Sequence, residues 1–254
     1  MIAAPLTFDL GVRAAHRPLR WMLLGGIALI TLAHLVITWA PAGTWPDALV
    51  DMVHVDREHN IPTWFSSAEL LTLAAGFLGL LFHERFSRRR RLATVFWAGC
   101  AALSLFLSMD ETAEIHEALG GVAGEIFRSA APGTMAAWLG TFPSYYWALV
   151  YVPVAVPCGL VFSWFALREM VGVRLLAISG LVVFGLGAVV LDHLEGRFGN
   201  AAHEHLRLAI AGQALRFDVF LLEELLEMLG VFLLIEAVFR QLFRVSREHP
   251  LVEA

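Results

Sequence analysis

Residues 92–117 read LATVFWAGCAALSLFLSMDETAEIHE. The first eighteen positions, Leu92 to Met109, hold no charged residue, and the next eight hold four acids and a histidine. An uncharged stretch of this length matches the roughly 20 residues that a helix needs to cross the hydrocarbon core. Its abrupt acidic end marks the place where the chain meets water or a polar interior.

The same punctuation recurs along the chain. Of 254 residues, 58% are hydrophobic and only 16% charged, with mean hydropathy +0.69. Soluble domains carry about a quarter charged residues. The apolar excess falls into six blocks: 21–40, 62–82, 92–109, 144–167, 175–191 and 219–239. In lipid only helices or closed barrels satisfy the backbone, and these blocks are too long and too uniformly apolar for barrel strands. The expected fold is all-α: one membrane domain, a polytopic bundle of six transmembrane helices. The first block could be taken for a signal peptide. However, its lead with Arg13, Arg17 and Arg20 is long, and Ala40-Pro41-Ala42 is not a clean cleavage site, so it is read as a span.

All 18 basic residues are arginine. Threading the six spans alternately puts thirteen arginines, including Arg85 and Arg88 to Arg91, on one side and five on the other. By the positive-inside rule the arginine-rich side, with both termini, is cytoplasmic, and the expected location is the cell membrane. The acids do the reverse. Seventeen of 23 lie on the outer side, giving about −12 outside against +7 inside. Topology does not require that excess, because Asp and Glu contribute little to it.

Part of the excess needs no special cause. Glu117, Glu125, Glu204 and Asp218 read as solvated acids of loops and helix ends. Others sit among apolar neighbours at a common depth: His34 on the first span, Glu69 on the second, Asp110, Glu111 and Glu114 on the third, Asp192, His193 and Glu195 on the fifth, and Glu223, Glu224 and Glu227 on the sixth. On one continuous helix Asp110, Glu114 and Glu117 share a face, with His116 pointing away. Ionisable groups inside spans are costly and face an interior, a cavity or a partner. Clustered carboxylates with a few imidazoles suit hard or borderline divalent cations. Glu111-x-x-Glu114 and Glu224-x-x-Glu227 have the i, i+3 spacing of carboxylate-bridged di-metal bundles, although neither ends in His. His203-Glu204-His205 is a further possible ligand tract, in what reads as a loop of about 20 residues.

The expected function is therefore an outward-facing metal-dependent membrane enzyme, hydrolytic or oxidative, acting on a lipid or another amphiphile. His34, Glu69, Asp110, Glu111, His193, Glu224 and Glu227 would hold a divalent metal ion or a two-metal site, with Glu114 and Asp192 as catalytic groups. A cation or proton transporter is the first alternative. It is weakened because, apart from Glu236, the inner halves of the spans carry few ionisable groups. A non-catalytic subunit or sensor that docks a partner on the acidic face is the second. The expected partners are membrane lipid and a second copy or a membrane subunit, with no nucleic acid. Cys100 and Cys158 lie in apolar blocks without CxxC spacing and read as packing residues. No GxSxG, HExxH, GxGxxG or P-loop motif occurs.

Overall fold

The computed structural model describes residues 4–41, 43–88, 90–198, 206–210, 213–217 and 219–248. Apart from one short hairpin, their regular structure is helical. The long helices are α1 (Ala4–Trp39), α3 (Ile61–His83), α4 (Arg91–Ala113), α7 (Trp147–Glu169), α8 (Arg174–Gly185) and α10 (Val219–Glu248). Short helices α2 (Asp47–Val53), α5 (Ile115–Arg128), α6 (Met135–Leu139) and α9 (Asp192–Phe198) gather at the acidic end of the bundle.

Among the described residues, five helical segments are long and apolar enough to cross a bilayer: His16–Trp39, Ile61–Phe86, Arg91–Ala113, Trp147–Glu169 and Arg174–Arg197. The protein is thus a helical membrane protein. Its lateral surface is apolar, as a lipid-facing surface must be. Leu29, Leu71, Leu92, Val95, Leu160 and Leu175 are each more than half exposed.

The expected sixth span, α10, does not meet the same apolar standard. It carries Glu223, Glu224, Glu227, Glu236, Arg240 and Arg244. The packing explains why. α10 lies against α1, α3 and α8, and it buries more residues than any other helix described. A helix shielded by neighbours needs fewer apolar side chains than one facing lipid. Contact with α8 is close because small residues meet there: a Cβ at Gly180 would stand 2.9 Å from the Gly230 carbonyl oxygen, and one at Gly230 would collide with the Phe184 backbone. Elsewhere the core is aliphatic and aromatic. Phe77, Phe96, Trp97, Phe162 and Phe165 stack between α3, α4 and α7, with the Phe96 and Phe165 rings 3.7 Å apart.

Local sequence sets the helix ends. Asn60 caps α3 by accepting the Thr63 amide at 3.1 Å, and Pro62 occupies the first turn, where no amide donor is missed. The α8 helix widens into a π-helical turn over Leu186–Leu191 before α9 begins. Such a turn shifts the phase of everything beyond it.

At the arginine-rich end, acids are paired. Arg90 donates to both oxygens of Glu84 at 2.9 and 2.7 Å and to Glu169 at 2.7 Å, tying the ends of α3, α4 and α7. Glu236 accepts from Arg240 at 2.7 Å and meets His16 at 2.9 Å, tying α10 to α1.

One expectation is corrected. The segment read as a loop of about 20 residues contains an antiparallel hairpin, Leu206–Ile210 with Gln213–Phe217, in which Leu206 faces Phe217 and Ile210 faces Gln213. Residues 206–208 and 215–217 alternate apolar and arginine, a two-residue period that serves a strand. His203, Glu204, His205 and Asp218 lie outside the described residues.

Candidate functional site

The site begins where α4 stops. Ala113 is its last helical residue, and Glu114 takes a left-handed conformation, φ 50° and ψ 39°, before α5 starts at Ile115. Left-handed backbone is uncommon for a residue other than Gly, Asn or Asp. Glu114 is further held by its carboxylate, 3.1 Å from His59 Nδ1. This joint overturns the single-helix expectation for 110–117. Asp110, Glu114 and Glu117 do not share one helical face, and His116 does not point away.

Instead the chain folds His116 back onto Asp110. Asp110 Oδ1 accepts the His116 amide at 2.8 Å and the Tyr151 hydroxyl at 3.0 Å, while Oδ2 lies 3.1 Å from His116 Nδ1. With the carboxylate as acceptor, Nδ1 carries the proton and Nε2 is the remaining ring nitrogen. Trp147 and Tyr151 pack edge-on against the imidazole. Burial works against a charged His116. The hydrogen bond and charge of Asp110, aided by Glu117 and Asp192, outweigh it and hold the imidazolium above its ordinary range.

His116 borders a cavity of about 760 Å³ at the acidic end. Ten acids line it: Asp56 and Glu58 before α3, Asp110 and Glu111 on α4, Glu117 on α5, Asp192 and Glu195 on α9, and Glu223, Glu224 and Glu227 on α10. Among the lining residues described, Arg128 and His116 supply the basic side chains. Arg128 lies 5.3 Å above the Tyr146 ring and donates to the Gly124 carbonyl. At Glu58, burial and then the charges of Glu117 and Glu114 push the carboxyl above its ordinary range, against smaller opposing effects of His116 and Thr63.

A second cluster forms where the π-turn delivers α9 against α10. Tyr145 donates to Glu195 at 2.8 Å. Glu223 on α10 lies within electrostatic reach of Glu195. Trp147 and Asp192 line the same cavity. Ser144 fixes the strand of chain opposite by donating to the His193 carbonyl at 2.9 Å. Gly187 permits the approach: a Cβ there would stand 2.8 Å from the Glu223 carbonyl oxygen and 2.8 Å from Glu227 Cγ. Glu223 is 9% exposed, and among the described residues its Oε2 has no hydrogen-bond partner; Asp192 Oδ2 has none either.

Of the residues singled out from sequence, the fold brings Asp110, Glu111, Asp192, Glu195, Glu223, Glu224 and Glu227 to this cavity. It places the others elsewhere. His34 is fully buried between α1 and the Val55 amide, which donates to its Nδ1, and its ring meets His54 at 4.6 Å. Glu69 is fully buried in α3, and among the described residues neither carboxyl oxygen has a hydrogen-bond partner. His193 packs its ring near Phe142, and Glu114 serves the joint. Among the described residues, no group of three or more His, Cys, Asp or Glu is spaced to hold a metal ion as it stands. Sequence reasoning missed His116, Tyr145, Trp147 and Tyr151. The aromatic run Tyr145-Tyr146-Trp147 and Tyr151 at the mouth of α7 was the available signal, though it also reads as an interfacial belt.

Fold and site together define a helical membrane protein with a carboxylate-lined cavity at one end of its bundle. The chain belongs to a family described as a domain of unknown function (DUF8692), whose model matches residues 21–242. No curated protein and no solved structure matches it.

Proposed function

We propose that the protein is a cell-membrane enzyme with an outward-facing cavity, in which a divalent cation and the Asp110–His116 pair act on an amphiphilic substrate. In this reading α10 is the sixth span and both termini are cytoplasmic, as the arginine distribution favours. A second copy or a membrane subunit remains a fitting partner for the exposed acidic rim.

The observation that carries the proposal is the imbalance inside the cavity: ten acids face one arginine and one histidine. Like charges gathered at low dielectric repel unless cations or protons neutralise them. Glu111, Glu224 and Glu227 bear on one another electrostatically and are the carboxylates best placed to close on an ion by side-chain rotation. An ion bound there would supply Lewis-acid polarisation of the substrate. The chain supplies the proton chemistry. Asp110 orients His116, whose Nε2 is the candidate base, and Tyr151 steadies Asp110.

The test is metal analysis of detergent-purified protein beside a Glu111/Glu224/Glu227→Gln variant, with Mn2+ titrated into both by calorimetry. Wild type should hold or rebind about one or two ions and the variant none. Absence of any bound or rebound metal in wild type overturns the metal assignment.

Glu69 gives the transporter alternative its one specific support, since a fully buried carboxyl without a hydrogen bond marks ion pathways in membranes. Loss of cation uptake into proteoliposomes in Glu69→Gln, with the cavity intact, would favour it.

A further inference from the structure

We propose that the Asp192–Glu195–Glu223 corner of the cavity receives the ammonium group of an amphiphilic amine, with the alkyl chain lying along α7 and α8. The proposal deepens the substrate assignment above and rests on the cavity being a substrate site. It does not rest on the metal.

The donor set is the first argument. Glu195 already accepts from Tyr145. What remains is Glu223 Oε2 and Asp192 Oδ2, two acceptors with no partner among the described residues, one of them on a side chain that is nine-tenths buried. An ammonium group brings several N–H donors on one positive centre and can use separated acceptors. A hard divalent ion needs six or so oxygens closely placed around it. The aromatic residues are the second argument. Tyr145 and Trp147 line the same corner, and aromatic rings beside carboxylates suit an alkylammonium.

The rest of the cavity fits a chain. Val152, Ala155, Phe184 and Val189 form an apolar wall. It reaches about 12 Å into the bundle from Trp147 to Ala155, at about 1.5 Å per residue. An anionic head group is disfavoured by the ten acids, and a neutral alcohol, with one O–H donor and no charge, can serve only one of Glu223 Oε2 and Asp192 Oδ2.

The experiment titrates dodecylamine, dodecanol and butylamine into protein held in a neutral maltoside detergent, with calorimetric readout. Dodecylamine should bind saturably, and dodecanol should not. Butylamine should bind at least tenfold more weakly than dodecylamine, because it lacks the chain. Asp192→Asn and Glu223→Gln should each weaken dodecylamine binding at least tenfold while melting no lower than wild type. If either fails to fold, the half-buried Glu195→Gln carries the same expectation. Equal binding of dodecanol, or unchanged dodecylamine binding in folded variants, overturns the proposal. Mn2+ titration of the same samples separates the two assignments. Amine binding without Mn2+ supports this proposal and removes the metal. Mn2+ binding without amine binding overturns this proposal and leaves the metal standing.

Discussion

The two ends of the bundle use the same residue types in opposite ways. At the arginine-rich end, Glu84, Glu169 and Glu236 each meet at least one cation within 2.9 Å. At the acidic end, among the described residues, Glu223 and Asp192 keep an oxygen without a partner, and ten carboxylates share one cavity with two basic groups. The first arrangement ties helices together. The second stores repulsion that a ligand can relieve. The lesson is that a buried acid speaks to stability or to binding according to what stands opposite it.

The sharpest way to break the contrast is Arg90→Met. It leaves Glu84, only 3% exposed, without its main partner. Losing one member of a buried pair costs on the order of 3 kcal/mol. Thermal melting in detergent should fall clearly, whereas melting unchanged from wild type would show that the clasp is ornamental. Next is Gly230→Ala, which forces a methyl into the Phe184 backbone and should cost about 2 kcal/mol through overpacking, also read by melting. It tests whether α10 must lie tight on α8 for the cavity wall to stand.

The acidic end responds in the other direction. Glu227→Gln removes one member of a like-charged pair with Glu224 and should leave stability unchanged or raise it by about 0.3 kcal/mol. A marked loss on melting would mean that Glu227 is paired like the inner acids. The smallest effect is the pH dependence of His116. Its imidazolium is held above the ordinary range in the folded protein, so its contribution is fully present below about pH 6.5 and is lost as pH rises through the folded value. Glu58, also raised, acts with the same sign from about pH 4.5 upward. Melting should therefore decline as pH rises past 6.5, and Asp110→Asn should flatten that part of the profile.

Much of the fold was legible because lipid imposes a length and a composition. The blocks at 62–82 and 92–109 fall inside helices Ile61–His83 and Arg91–Ala113. The block at 219–239 was found by its apolar pattern even though its acids set it apart, since shielding by α3 and α8 tolerates them. The depth argument also brought Asp110, Glu111, Asp192, Glu224 and Glu227 to notice. It could not place them, because helical phase holds only while the helix continues. Glu114 breaks that phase without a glycine or asparagine to announce it, and the π-turn at Leu186–Leu191 breaks it again. Those two interruptions decide that His116, Asp192 and Glu195 face the cavity. His34 and Glu69 illustrate the complement: both are fully buried, away from the cavity lining.

The joint at Glu114 has a consequence for how this architecture can vary. A continuous helix would couple every position from Arg91 to Arg128 in rotation, so that one inserted residue would swing all later side chains by about 100°. A single left-handed residue uncouples the two halves. Residues beyond α5, namely α6 with its connections, can lengthen, shorten or diverge while Asp110, Glu111 and His116 keep their aim. The chain thereby separates the part that must be exact from the part that is free to be tailored.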